Sequence, residues 1–204
     1  MKINKKKFIY LISPLKIRKS FYSDLIKVFK TNKVSFFQLR LKKESLKKLI
    51  IIAKKIKNIC KRNKVKFIIN DNPYAALKVN ADGCHLGQKD THITKAKNVL
   101  KNKIIGVTCH NSIKLAKIAI TSGANYIAFG AFSMSKTKKT RHLATTKILN
   151  VVSKITNIPI VAIGGINSKN YSKLLLNKAN FLAISGYIWN NKKLKPEEAI
   201  KKLK

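Results

Sequence analysis

Negative charge is scarce in this chain. Seven Asp and Glu residues stand against 45 Lys and Arg residues, which gives a formal net charge of +38. Three of the four aspartates, Asp71, Asp82 and Asp90, nevertheless fall between positions 71 and 90. Asp82 precedes a glycine and is typical of a turn. Asp71 and Asp90 follow short strand-like runs, so we interpret them as candidate ligands of a bound cation.

Long apolar runs and paired cysteines are also missing. No apolar run approaches the roughly 20 residues that a membrane-spanning helix needs, and Phe8–Ile12 is too short for a secretory signal. Cys60, Cys84 and Cys109 are odd in number and lack the spacing of a zinc site or a disulfide framework. We therefore expect a single domain over residues 1–204, in the reducing cytoplasm and without a membrane partner.

The basic charge does not have the composition of a nucleic-acid interface. Only four of the 45 basic residues are arginine, the residue best suited to bidentate recognition of phosphates and bases. The lysines are spread over the whole length instead of forming one arm or stripe. We expect a solvated surface and no specific nucleic-acid partner. A homo-oligomer is left open.

Short β-branched or aromatic runs alternate with segments of helical period from one end of the chain to the other. This alternation predicts right-handed βαβ units and a parallel sheet. The eight candidate strands are Phe8–Ile12, Val34–Leu39, Phe67–Asn70, Gly83–Leu86, Ile104–Val107, Tyr126–Gly130, Ile158–Ile163 and Phe181–Ser185.

Four segments between these strands carry apolar residues at helical spacing, and a closing helix is expected near Glu197. The four segments are Ser45–Cys60, Ile113–Thr121, Thr145–Val152 and Ser168–Leu176. Eight units predict a single (β/α)8 TIM barrel, with room for only short helices between residues 72 and 100. The alternative is a doubly wound open sheet, but no Gly-x-Gly-x-x-Gly follows the first strand.

Polar residues accumulate where the candidate strands end, which in a barrel is the face that carries the active site. Alternation along the second strand places Gln38, Arg40 and Lys42 on one side. The third strand ends in Asn70 and Asp71, and the fifth ends near Thr108. A donor amide, two cations and a carboxylate suit an anionic ligand that forms hydrogen bonds.

The last two strands end in small residues, Gly164-Gly165 and Ser185-Gly186. Loops after the seventh and eighth strands of barrels commonly hold a phosphate on backbone N–H groups. We therefore expect two anionic groups: a phosphate at these loops, and a larger anion held by Arg40, Lys42, Lys138 and a metal. Magnesium is usually bound by one or two carboxylates together with phosphate oxygens.

Six motifs, taken in order, resemble those of the thiamine phosphate synthase family. They are Gln38-x-Arg40-x-Lys42, Asn70-Asp71, His85-Leu86-Gly87-Gln88-x-Asp90, Gly106-Val107-Thr108, Ser135-x-Thr137-Lys138 and Ile163-Gly164-Gly165-Ile166. Each motif alone is unspecific, but together they cover nearly the whole chain in the family's order. The resemblance implies a TIM-barrel transferase that joins hydroxymethylpyrimidine diphosphate to thiazole phosphate and releases diphosphate.

The resemblance also implies a role for each matched residue. Asp71 and Asp90 would hold Mg²⁺. The contacts to the pyrimidine diphosphate would come from Gln38, Arg40, Lys42, Asn70, Thr108 and Lys138, of which Arg40, Lys42 and Lys138 are the catalytic cations. The thiazole phosphate would contact Ser135, Thr137, Gly165, Ile184 and Ser185. The implied course is dissociation of diphosphate to leave a pyrimidine-methyl cation, which the thiazole nitrogen captures without a general base.

Three rival interpretations remain at this point. A thiazole tautomerase on the same scaffold would handle one phosphate and need no metal, so the two aspartates favour the transferase. A basic nucleic-acid-binding or ribosome-associated protein would carry an RNA-binding motif, and none is visible. A decayed barrel would bind ligand without turnover. His85 is interpreted as a hydrogen-bonded core residue, and His110 is left open.

Overall fold

The computed structural model describes residues 7–134 and 143–203. Eight parallel strands pair in sequence order, and the last pairs with the first, so the barrel is closed. The strands are β1 (Ile9–Ile12), β2 (Val34–Leu39), β3 (Lys66–Asn70), β4 (Gly83–Leu86), β5 (Ile104–His110), β6 (Tyr126–Phe129), β7 (Ile160–Ile163) and β8 (Phe181–Ile184). This topology confirms the TIM barrel and excludes the doubly wound open sheet.

Helices follow the strands and cover the outside of the barrel. They are α1 (Phe21–Lys30), α2 (Leu46–Arg62), α3 (Pro73–Lys78), α4 (Ile93–Leu100), α5 (Ile113–Thr121), α6 (Thr146–Ser153), α7 (Tyr171–Leu176), α8 (Gly186–Trp189) and α9 (Pro196–Lys201). The expected short helices between residues 72 and 100 are α3 and α4. Sequence reasoning missed α1, although Leu25, Val28 and Phe29 mark its buried face, and it missed the single turn of α8.

Local sequence explains where several helices begin. The Ser45 hydroxyl accepts a hydrogen bond from the Lys48 N–H and caps α2. The Asn72 side chain caps α3 through the Ala75 N–H, and Pro73 occupies the first turn, where its missing N–H costs nothing. These caps fix the points at which α2 and α3 begin, after the segments that follow β2 and β3.

The core has two parts. The outer part packs the strands against the helices. The inner part fills the barrel with side chains that include Tyr10, Phe36, Ile68, Tyr126 and Phe181. All three cysteines are buried and unpaired. None of the helices within the described residues combines the length and hydropathy needed to cross a bilayer.

Candidate active site

Ser13, at the end of β1, joins three strand ends on the carboxyl face of the barrel. It is almost fully buried, at 2% exposure. Its hydroxyl accepts the Arg40 N–H at 2.9 Å, its N–H donates to the Gln38 carbonyl at 2.9 Å, and its carbonyl accepts the Ser185 hydroxyl at 3.0 Å. Ser13 therefore fixes the backbone after β2 and the turn after β8. Sequence reasoning missed it, although a polar residue at a strand end was the signal used elsewhere.

Gln38, near the end of β2, faces the interior of the barrel as the alternation predicted. Gln38 is 3% exposed, and its amide nitrogen donates to the Tyr10 hydroxyl at 2.9 Å inside the barrel. Arg40 is partly buried and Lys42 is exposed. Along this segment, a buried amide is followed by two cations at the mouth of the barrel, the opening at the carboxyl ends of the strands. This arrangement suits a ligand with a polar ring inside the barrel and an anionic tail outside it.

Lys42 and Asp71 form an ion pair between the segments that follow β2 and β3. The Lys42 Nζ lies 2.8 Å from Asp71 Oδ2, and the side chains are 50% and 27% exposed. Asp71 has a backbone φ of +63°, and its N–H donates to the His85 carbonyl at 2.8 Å. Asn70, directly before it, ends β3 beside His85 on β4. The ion pair with Lys42 and the backbone hydrogen bond to His85 together hold the Asp71 carboxylate at the mouth of the barrel.

Asp71 and Asp90 are brought together, as the sequence predicted. Asp90 Oδ2 accepts the Gly87 N–H at 2.7 Å, which turns the side chain back toward the end of β4. Burial raises the pKa of Asp90, and a hydrogen bond with the Asp71 side chain raises it further. The Gly87 N–H and the nearby Lys42 charge act in the opposite direction. Two carboxyl groups this close repel when both are ionised, so a cation between them would be stabilising.

The aspartate pair fits magnesium as a partial ligand set. Carboxylate oxygens are the hard donors that Mg²⁺ prefers, and one or two of them usually suffice when phosphate oxygens and water complete the octahedron. Within residues 7–134 and 143–203, no group of three or more His, Cys, Asp or Glu side chains is arranged to hold a metal. The pair would therefore need oxygens from an anionic ligand.

Thr108 lies near the end of β5, beside a register shift in its pairing with β6. Its hydroxyl is 2.8 Å from His85 Nε2, and its carbonyl accepts a hydrogen bond from the Gln88 amide. His85 is 6% exposed. The expectation of a hydrogen-bonded core histidine is therefore confirmed, but its partners include a predicted site residue.

The loop after β7 contains Gly164 and Gly165, both with positive φ, at +99° and +68°. A Cβ on Gly165 would lie 2.5 Å from both the Cβ and the carbonyl oxygen of Ser133. The sequence attributed this glycine to the approach of an oxyanion. The structure adds a second reason for a glycine here, because the backbone of the loop after β6 occupies the space that a Cβ would take. The Gly165 carbonyl accepts hydrogen bonds from the amides of Asn167 and Asn170.

The end of β8 contributes Ile184 and Ser185. The Ile184 side chain is 2% exposed and belongs to the outer part of the core, so we assign any ligand contact of this residue to its backbone. Ser185 precedes the first turn of α8, and its hydroxyl donates a hydrogen bond to the Ser13 carbonyl. Trp189 links the same turn to the end of β1, because its indole N–H donates to the Ile12 carbonyl at 2.7 Å.

The remaining predicted residues, Ser135, Thr137 and Lys138, lie outside the described residues. Beyond Ser13, sequence reasoning also missed the polar contacts of Tyr10 and Tyr126. Both tyrosines are 1% exposed, and their hydroxyl oxygens are 2.7 Å apart. An alternating strand pattern marks such residues as core, and the partner of each hydroxyl lies far away in sequence.

Comparison with known proteins decides the family. The sequence model of thiamine monophosphate synthase matches residues 9–188. The chain belongs to the thiamine monophosphate synthase family. A thiamine-phosphate synthase of Pelagibacter ubique is 65% identical over the whole of both chains. Another, from Erythrobacter litoralis, is 39% identical over 89% of this chain and 88% of its own.

Solved structures agree with this membership. The thiamine phosphate pyrophosphorylase of Pyrococcus furiosus superposes with a TM-score of 0.85 at 25% identity, covering 98% of this chain and 94% of its own. A 3-hexulose-6-phosphate synthase has a TM-score of 0.66 at 15% identity, which reflects the shared fold alone. This member of the thiamine monophosphate synthase family is accordingly a transferase of thiamine biosynthesis.

Proposed function

We propose that this enzyme joins 4-amino-2-methyl-5-hydroxymethylpyrimidine diphosphate to 4-methyl-5-(2-hydroxyethyl)thiazole phosphate, giving thiamine phosphate and diphosphate. The observation that carries the proposal is the grouping of Lys42, Asp71 and Asp90 at the mouth of the barrel. A single phosphate that stays on its substrate would not require paired carboxylates beside a cation, whereas a departing diphosphate benefits from a bound metal. Family membership supports the same reaction.

The pyrimidine diphosphate is proposed to lie along the ends of β2, β3 and β5. Gln38 and Asn70 bind the ring at depth, since Gln38 is buried. The anionic tail then reaches the cations at the rim. Arg40, Lys42, Thr108 and Lys138 contact the diphosphate, and Arg40, Lys42 and Lys138 act as catalytic residues by stabilising the charge that develops as it departs.

The thiazole phosphate is proposed to occupy the ends of β7 and β8. Gly165 and Ser185 present backbone N–H groups there, and Ile184 contributes through its backbone. Ser135 and Thr137 complete this half of the site with hydroxyl groups. The two substrates would thus share the barrel mouth, with the thiazole nitrogen facing the methylene carbon of the pyrimidine.

Magnesium would be held by Asp71 and Asp90. When bound, it supplies charge neutralisation to the diphosphate oxygens. The chain's own part is to orient the carboxylates: the Gly87 N–H holds Asp90, and the His85 carbonyl holds the Asp71 backbone. The bond between the methylene carbon and the diphosphate oxygen breaks first, and the thiazole nitrogen then donates its lone pair to the carbon. Because that nitrogen carries no proton, no general base is required.

The same proposal treats residues 1–204 as one domain that acts on small molecules in the cytoplasm, without a specific nucleic-acid partner. Burial of all three unpaired thiols is compatible with a reducing compartment. A homo-oligomer stays open.

The test is a coupled assay of diphosphate release with both substrates present, as a function of magnesium concentration. Asp71→Ala and Asp90→Ala should each lower turnover by roughly 10²-fold or more, the scale observed when a main electrostatic stabiliser is lost. The matched control is Asp82→Ala. Asp82 pairs with Lys66 at 3.0 Å and accepts the Phe67 N–H at 2.9 Å, at the start of β3, so its loss should lower stability and leave turnover unchanged.

Magnesium-independent release that survives both substitutions would overturn the transferase mechanism. Conversion of the thiazole phosphate alone, without the pyrimidine and without diphosphate release, would favour a tautomerase instead.

A further inference from the structure

A line of hydrogen bonds crosses the interior of the barrel from β2 to β5. The Gln38 amide nitrogen lies 2.9 Å from the Tyr10 hydroxyl, which lies 2.7 Å from the Tyr126 hydroxyl. The Tyr126 hydroxyl is 2.9 Å from His85 Nδ1, and His85 Nε2 is 2.8 Å from the Thr108 hydroxyl. Both ends of the line are residues to which the proposed function gives substrate contacts.

The barrel is shaped around the middle of this line. Gly106 on β5 lies against the Tyr126 ring, and any Cβ there would overlap the ring atoms that carry the hydroxyl. Phe36 packs beside both tyrosine rings, at centroid distances of 5.3 and 6.1 Å. Phenylalanines would fill the same space without buried hydroxyls that need partners, so filling the core does not account for the polar atoms.

The Gln38 amide N–H donates to the Tyr10 hydroxyl. Either tyrosine hydroxyl can donate to the other across the 2.7 Å between them. We assign the line the direction in which Tyr10 donates to Tyr126 and Tyr126 donates to His85 Nδ1. Burial raises the pKa of both tyrosines, which keeps the hydroxyls protonated. With Nδ1 as the acceptor, the Nε2 proton of His85 is the one that faces the Thr108 hydroxyl oxygen at 2.8 Å.

This direction determines what the two ends offer to a ligand. The Thr108 oxygen already accepts a hydrogen bond, so its own proton points to an acceptor such as a diphosphate oxygen. At the other end, the side-chain amide oxygen of Gln38 can accept a hydrogen bond from an amino group of the ligand. Reversal of the line would exchange these roles and would present an oxygen lone pair to the anion. Hydrogen bonds in series also polarise one another.

We propose that Tyr10, Tyr126 and His85 are positioning residues that orient the Thr108 hydroxyl as a donor to the diphosphate and couple it to the amide of Gln38. The inference rests on the proposed function, because it takes the pyrimidine diphosphate as the ligand at both ends. The proposal gives these three positioning residues no ligand contact of their own. They act through Gln38 and Thr108, to which it does give ligand contacts.

The direction of the line is tested in the ligand-free protein by ¹⁵N NMR of labelled histidine side chains, with His85→Asn to assign the signals. We expect a proton on His85 Nε2 and a hydrogen-bond acceptor at Nδ1. A proton on Nδ1 would overturn the proposal. The spectrum is recorded without turnover, so it tests the direction of the hydrogen bonds independently of the substrates. A wrong substrate assignment would instead be detected as missing diphosphate release in the wild-type assay.

The coupling is tested by kinetics. Tyr10→Phe breaks the line at a residue remote from the ligand and should raise the KM for the pyrimidine diphosphate about tenfold, the factor for one hydrogen bond of about 1.4 kcal/mol. The KM for the thiazole phosphate should not change. The matched control is Tyr22→Phe, which removes a hydroxyl from the exterior helix α1 and should change neither value.

A double-mutant cycle separates coupling from a structural effect. In a Thr108→Val background, Tyr10→Phe should raise the KM for the pyrimidine diphosphate less than it does in the wild type, because the donor that the line orients is already gone and only the effect through Gln38 is left. Additive effects, or an equal rise in both KM values for Tyr10→Phe alone, would overturn the relay. Thermal unfolding of each variant reports whether the fold is intact.

Discussion

The ammonium of Lys42 lies 2.8 Å from a carboxylate oxygen of Asp71. In the protein without ligand, this lysine is the cation that neutralises one of the two proposed magnesium ligands. In the proposed mechanism, a magnesium ion would compete with Lys42 for Asp71 until the diphosphate binds. The bound anion would then supply enough oxygens to engage both cations.

Lys42→Ala should consequently have two effects of opposite sign. Without substrate, magnesium should bind about 1.4- to fivefold more tightly, since an exposed ion pair contributes about 0.2–1 kcal/mol. Turnover should fall, because a cation that stabilises the diphosphate is missing. Isothermal titration with magnesium and the diphosphate-release assay measure the two effects. Lys43→Ala, at the exposed neighbouring position, is the control, and unchanged or weaker magnesium binding in Lys42→Ala would contradict the competition.

Asp90→Asn should stabilise the magnesium-free protein while it lowers turnover. Burial and the contact with Asp71 raise the pKa of Asp90, so folding disfavours its ionised form. The resulting destabilisation is present at neutral pH and disappears below the ordinary pKa of about 3.9, where Asp90 is protonated in both states. The amide keeps an oxygen for the Gly87 N–H and relieves the repulsion.

The expected rise in Tm at neutral pH is at most about 2–4 °C, because a partly solvated pair of charges interacts by no more than about 1 kcal/mol. Thermal scans from pH 4 to pH 8 should show the advantage of Asp90→Asn growing as pH rises. Asp82→Asn should instead lower Tm at neutral pH, since it removes the ion pair with Lys66. A lower Tm for Asp90→Asn at neutral pH would show that the carboxylate is not under repulsion.

The three cysteines should be unreactive in the folded enzyme. Burial raises the pKa of Cys109 to about 12, and it also raises the pKa values of Cys60 and Cys84. Because the thiolate is the nucleophile, the thiols stay inert until the pH rises toward those values. An aromatic disulfide reagent at pH 8 should label no thiol in the native protein and all three in denaturant. Rapid labelling of one native thiol, with loss of activity, would place a cysteine at the site.

The sequence predicted the parts of this molecule that repeat or lie near one another in the chain. Alternating strands and helices indicated the closed barrel, and the alternation along β2 predicted that Gln38 faces inward, where its amide bonds to Tyr10. Asp71 and Asp90 were found because carboxylates are rare here and both follow strands. Tyr10 and Tyr126 escaped detection, since their hydroxyls meet across 116 positions of sequence. Ser13 likewise bonds to partners on β2 and after β8, which only closure of the barrel brings to it.

The glycine after β7 gives the last prediction. Gly165 has a φ of +68°, and a Cβ there would meet the backbone of Ser133, just before Ser135 and Thr137 in sequence. Gly165→Ala should therefore raise the KM for the thiazole phosphate about tenfold or more and the KM for the pyrimidine diphosphate much less, in addition to lowering Tm. Steady-state kinetics with each substrate varied in turn measures the difference.

Gly123→Ala provides a matched control for the backbone strain. Gly123 has a φ of +82°, but the nearest atom to an added Cβ is the flexible end of Lys97, near the start of β6 and away from the barrel mouth. It should lower Tm through the same left-handed strain and leave both KM values unchanged. If Gly165→Ala also lowered Tm with no change in either KM, the loop after β7 would not be part of the thiazole phosphate site. Equal rises in both KM values would point instead to a general disturbance of the barrel mouth.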